Sequence, residues 1–109
     1  MKGDLRIRAV VFENNGDWVA QCLEYDIATQ APTLDALLYE LERILVAHLF
    51  GAEEEKLADP FAGIPPAPRR FWEMYNRAQR PVRTVPRLPA PETQVLPELE
   101  VAFPSTVAA

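Results

Sequence analysis

Four carboxylates gather around two turns in the first quarter of the chain: Glu13, Asp17, Glu24 and Asp26. Acids that converge in this way can hold a divalent ion, and paired ions are the basis of a metal-dependent nuclease. That chemistry needs the acids to meet from different strands. These fall mostly in turns, where acids are ordinary surface residues, so the nuclease reading ranks last. His48 is the next candidate. It sits at helical spacing among leucines near a helix C-terminus, where an imidazolium suits the dipole. General acid–base or metal work needs companions, and none is evident, so His48 reads as a packing residue. The one cysteine, Cys22, lies mid-strand between Gln21 and Leu23 with no basic neighbour, and reads as a buried structural thiol. No catalytic residue, metal or cofactor is expected, and the chain does not read as an enzyme.

The more distinctive chemistry is cationic. Between Arg69 and Arg87 six arginines are interleaved with Phe71, Trp72 and Tyr75. Arginine beside aromatics suits phosphate contact and base stacking. Arg69, Arg70, Arg77, Arg80 and Arg83 are therefore candidate nucleic-acid contacts. The plainer reading pairs these arginines with the acidic first half, or with Glu92, Glu98 and Glu100, and it ranks ahead. Phe71, Trp72 and Tyr75 share one helical face. They are core contacts if covered, and a protein-binding patch if exposed.

Charge bounds the partners. The 109 residues carry a formal charge of −5, which argues against the whole chain as a nucleic-acid binder. The total conceals an asymmetry: −7 over residues 1–68, +5 over 69–87 and −3 over 88–109. A single cysteine cannot form an internal disulfide, which suits a reducing cytoplasm. The N-terminus shows no signal-peptide run, and nothing approaches the roughly 20 apolar residues of a membrane span. A soluble cytoplasmic protein with no membrane partner is expected.

The elements that must position these residues are clearest up to Leu49. Leu5 to Phe12 begins by alternating and ends apolar on both faces, as a first strand. Asn15-Gly16 is a hairpin signal because both residues tolerate positive φ. Trp18 to Leu23 returns antiparallel, Glu24-Tyr25-Asp26 turns, and Ile27 to Gln30 is a short third strand. Thr33 is a good N-cap, with Asp35 in the first turn. Leu34, Leu37, Leu38, Leu41, Ile44, Leu45, His48 and Leu49 then form one apolar stripe, and Gly51 is the expected stop. Ten of the eleven prolines lie from Pro60 onward, so later elements must be short. A short helix is expected over 69–79 and an edge strand near 98–103, bounded by Pro97 and Pro104. The tail is too aromatic for a solvated linker, so it should pack on its own sheet or on a neighbouring protomer.

The stretch from Leu5 to Phe50 resembles a known family. The residues that carry the likeness are Trp18-Val19-Ala20-Gln21-Cys22, Glu24, Gln30, Thr33 and Leu34. They trace a hairpin, a W/Y-V-A-x-C-like strand, an acidic turn, a strand ending in Gln, and a Thr that opens a helix. This run is similar to the HicB-like antitoxin family. The departures are Leu23, Tyr25 and Asp26, where the family's turn carries proline and glycine, and Ala31, where glycine is common. Neither a ribbon-helix-helix nor a helix-turn-helix pattern follows the helix. Gly63 to Glu73 resembles a bacterial branch of HicB-like proteins with a proline-rich, aromatic C-terminal extension. The resemblance implies a degraded RNase H-like or double-stranded-RNA-binding-like β-β-β-α-β fold without catalytic residues. It also implies homo-oligomers, and for the antitoxins a small toxin ribonuclease as partner. An orphan HicB-like protein fits better than a working antitoxin.

The expectation is an α+β fold: a small antiparallel sheet on one long helix, with a proline-rich tail containing a short helix. The division is a domain over 1–52, an acidic, proline-rich linker over 53–68 and an extension over 69–109. The expected role is a non-catalytic protein-binding, oligomerising module. The alternative is a nucleic-acid contact through Arg69–Arg87.

Overall fold

Asn15 and Gly16 take φ values of 54° and 88°, the left-handed pair that closes a two-residue hairpin with the natural twist of its strands. The hairpin joins β1 (Arg6–Asn14) to β2 (Asp17–Cys22), with Asn14 opposite Asp17 and Ala9 opposite Cys22. β3 (Ala28–Ala31) adds antiparallel to β2. The computed structural model describes residues 6–78, 81–84, 89, 91 and 97–103, and at 83 and 84 the backbone alone.

Thr33 opens α1 (Leu34–Glu55) as its spacing predicts. Its backbone is extended, and its hydroxyl accepts a hydrogen bond from the Ala36 N–H at 3.2 Å. Leu37, Leu41, Leu45 and Leu49 recur every fourth residue and are fully buried against Ile7, Ala9, Val11, Ala20 and Cys22. Each such leucine contributes about 1.5–3 kcal/mol by leaving water. Gly51 does not stop the helix. The apolar row continues to buried Ala52, and α1 ends only where Lys56 turns left-handed, at φ 58° and ψ 41°. There the Lys56 N–H donates to the Glu53 carbonyl and the Leu57 N–H to the Ala52 carbonyl, a Schellman closure.

The stretch expected as a linker is largely exposed but anchored, with Phe61 and Ala67 buried. Its first residues are the last turn of α1. Beyond them Phe61 is 1% exposed, its ring stacked on Tyr25 at 4.7 Å and on His48 at 5.3 Å. The Asp26 N–H donates to the Pro65 carbonyl and the Ala67 N–H to the Leu23 carbonyl. These bonds fasten the chain to the end of β2 as it crosses to the other face of the sheet. There α2 (Arg69–Arg77) buries Tyr75 with Val10, Leu23 and Ala102, flanked by Phe12, Phe71, Trp72 and Met74. Both faces of β1 are thus covered, which is why its second half is apolar on both sides.

The last two strands, β4 (Val82–Thr84) and β5 (Glu98–Ala102), complete a five-stranded sheet of order β3-β2-β1-β5-β4. The architecture is α+β, as expected, but the sheet is mixed and not wholly antiparallel. β5 runs parallel to β1, with Arg6 beside Glu98 and Val10 beside Ala102. A parallel neighbour needs a long crossover, and the chain between β3 and β5 supplies it. The strand expected at an edge is therefore interior. Leu99 and Val101 face α1 while Ala102 faces α2. The edge belongs to β4, only three residues long and entered from Pro81, a placement that proline tolerates. Among the described residues, no helix is long and apolar enough to cross a membrane.

Candidate functional site

The four acids of the N-terminal turns are drawn apart. Glu13 is exposed beside the hairpin, and Asp17 accepts from Gln30 Nε2 at 3.5 Å. Asp26 accepts from Gln21 Nε2 at 2.9 Å. Glu24 is taken by Arg8, whose backbone N–H and Nε reach its two carboxylate oxygens at 2.7 and 2.6 Å. Among the described residues, no three His, Cys, Asp or Glu side chains are grouped to hold one metal ion.

His48 keeps its place in the packing. Its Nδ1 lies 2.9 Å from the Ile44 carbonyl. A carbonyl only accepts, so the proton sits on Nδ1 and the ring is locked against Phe61. Cys22 has no accessible surface, and its thiol is pushed up to about 12, first by burial and then by the charge of Glu24. At neutral pH it is a protonated thiol with little nucleophilic character.

The polar centre of the molecule is one that residue types alone did not reveal. Arg8 projects from β1 toward α2, held by Glu24, with its guanidinium carbon 4.8 Å from the Trp72 ring centre and 5.9 Å from that of Tyr75. The Tyr75 hydroxyl donates to Glu100 Oε1 at 2.6 Å. Burial, followed by that hydrogen bond, raises the Tyr75 pKa. Trp72 Nε1 donates to the Ala67 carbonyl at 3.1 Å. The arrangement clamps α2 to the sheet through one cation between two aromatic rings and two carboxylates. The signal for it was an arginine alternating with apolar residues in a strand that is covered on both faces.

Phe71, Trp72 and Tyr75 therefore turn inward, and Phe71 also stacks on Phe12 at 6.0 Å. The arginines of α2 point outward. Arg69, Arg70 and Arg77 are exposed, and among the described residues none is ion-paired with a carboxylate. Glu98 meets Arg6 at 3.5 Å, and Glu100 accepts from Tyr75. For these three arginines no internal ion pair is seen among the described residues, and Glu92, one of the expected partners, lies outside them. Arg70 instead lies over Phe71 at 4.6 Å. Arg80 lies outside the described residues. The backbone of Arg83 is in β4 opposite Glu100, and its side chain lies outside what is described.

The chain matches no family model, no curated protein and no solved structure.

Two shallow depressions flank Gly51 on the last turns of α1. One, of about 290 Å³, is lined by Ala47, His48, Ala52, Glu55, Leu57 and Pro60; the other by Ala47, Phe50, Glu53 and Glu54. Phe50 and Leu57 are among the few large apolar side chains left exposed, at 48% and 43%. A third groove, of about 200 Å³, runs between α1 and the β4–β5 side of the sheet, lined by Leu38, Val82, Val101 and Phe103. Residue types alone pointed to the arginines of α2 but not to the end of α1. Its signal was Glu53-Glu54-Glu55 at a helix terminus whose dipole favours the opposite charge.

Proposed function

We propose that this chain is a HicB-like, non-catalytic protein-binding module that assembles with copies of itself, with the outer face of α2 as a contact surface. The observation that carries the reading is the division of labour on α2. Its aromatic side is used up in packing on its own sheet, while Arg69, Arg70 and Arg77 stand exposed with no carboxylate partner among the described residues. Arginine is the cation best suited to interfaces, because its planar fork holds carboxylates in fixed geometry. The HicB-like part of the reading is supported by element order: three antiparallel strands, a long helix, and a later strand returning beside the first. On the antitoxin-like version, a small toxin ribonuclease is a further partner. Size-exclusion chromatography with light scattering tests the assembly. A species larger than one chain is expected, and a strict monomer at high concentration overturns the reading.

A second reading, nucleic-acid contact, is favoured by the Arg70–Phe71 stack flanked by Arg69 and Arg77. It ranks lower because the chain as a whole is acidic, with a formal charge of −5. It predicts binding that weakens steeply with salt, by about one log unit per log unit of salt for each phosphate contacted. Gel shifts that stay empty at low ionic strength remove it.

A further inference from the structure

The end of α1 breaks a rule that the rest of the helix obeys. Its first turn carries Asp35, which suits the positive end of the dipole, but its last turn carries glutamates and no basic residue. Glu54 and Glu55 are exposed, and among the described residues neither is ion-paired. Negative charge is concentrated where the helix is already negative, beside apolar surface left bare. Phe50 and Leu57 are exposed, and a Cβ added at Gly51 would meet nothing within 4 Å. An acidic rim around a shallow apolar notch suits arginine side chains, which lay their methylene stems on apolar surface and present a cation at the tip. The same chain exposes Arg69, Arg70 and Arg77 on α2, and among the described residues none of them is ion-paired. The two helices pack in separate clusters on opposite faces of the sheet.

We propose that the acidic, partly apolar surface on either side of Gly51, where the depression edged by Phe50 and Glu54 adjoins the one edged by Glu55 and Leu57, receives the arginine face of α2 from a second copy of this chain. The inference rests on the self-assembly reading above and names its contact. When two copies exchange the contact reciprocally, each α2 sits on the other's notch, and the charges opposed are of opposite sign both times. The arginines add positive charge to a helix terminus where Glu53, Glu54 and Glu55 outnumber the single capping lysine, Lys56.

The test is a charge swap in the full-length chain, followed by sedimentation equilibrium. The pair Glu54→Lys and Glu55→Lys places like charges across both contacts, as does the pair Arg69→Glu and Arg77→Glu. Each double variant alone is expected to weaken self-association at least tenfold. All four positions are exposed, so circular dichroism spectra should match the parent. Mixing the two variants restores opposite charges at both contacts, and a heterodimer of near-parental affinity is expected. Parental self-association in either variant, or a mixture that stays unassociated, overturns the notch while leaving the assembly reading intact. A parent chain that is itself monomeric overturns both.

Discussion

Tyr75 on α2 and Glu100 on β5 are joined by a 2.6 Å hydrogen bond from phenol to carboxylate, across the face of the sheet that α1 leaves open. The bond fastens the short second helix to a strand made much later in the chain, and Tyr75 is only 8% exposed where it does so. A hydrogen bond to a charged acceptor contributes about 1.5–3 kcal/mol. Tyr75→Phe should therefore lower the unfolding free energy by about 1–2 kcal/mol in urea, since the ring itself is retained.

The same residue gives the molecule an alkaline limit. Tyr75 has a folded pKa above the ordinary tyrosine value of 10.0, raised by burial and by Glu100. A raised folded pKa means that the native state holds the proton more tightly. This contribution is complete below about pH 10 and is lost as pH rises through the folded value. Tyr25 and Cys22 are shifted the same way, each chiefly by burial. Denaturant midpoints should begin to fall above about pH 9, where an unfolded Cys22 thiol ionises, and more steeply above pH 10, and Tyr75→Phe should blunt the steeper part without abolishing the fall.

Glu24 accepts both the backbone N–H and the Nε of Arg8. Removing it leaves a half-buried guanidinium and a backbone donor without their acceptor. Glu24→Ala should cost about 1.5–3 kcal/mol, with solvent screening keeping the loss toward the lower end. Hydrogen exchange should show α2 losing protection before α1. Equal loss in both helices would mean that the Arg8 cluster does not hold α2.

Phe61 tests whether the crossing between the helices is structural. Packed between Tyr25 and His48, it is as buried as the leucines of α1. Phe61→Ala should destabilise the protein by about 3–5 kcal/mol, whereas the same change in a spacer would fall within about 0.5 kcal/mol.

Lys56 closes α1 in the left-handed region at φ 58°, a conformation that costs an L-residue roughly 1–2 kcal/mol relative to the right-handed one. Glycine adopts it freely but loses more entropy on folding. Lys56→Gly should raise stability by a net of about 0.5–1 kcal/mol, visible as a few degrees in Tm.

Features written in neighbouring residues were legible before any coordinates: the Asn15-Gly16 turn, the Thr33 cap, the leucine row and the aromatic helix, which ends at Arg77, two residues short of its expected end. What local pattern could not carry was long-range pairing. The alternation in Glu98–Ala102 marks a strand but says nothing of its direction or which strand it joins. β4 went unassigned among the prolines, and it is a short edge strand that tolerates Pro81 just before it. Gly51 looked like a stop because composition outweighed the apolar row running past it. At the candidate site, the arginines and aromatics were picked out by type. Which face of α2 each group occupied followed only from the sheet beneath it.

The parallel pairing of β1 with β5 has a consequence for how the molecule is made. Arg6 and Glu98 are partners in the sheet although roughly 90 positions separate them. At about 5–20 residues per second, β1 waits on the order of 5–20 s for its neighbour to be synthesised. Through that interval the hairpin and α1 can form, but the middle of the sheet has an unpaired edge, and α2 lacks both Ala102 to pack on and Glu100 to bond. An open edge of this kind is a template for a strand from another molecule. The order in which ribosomes release these strands thus sets a window in which nascent chains are most prone to misassemble.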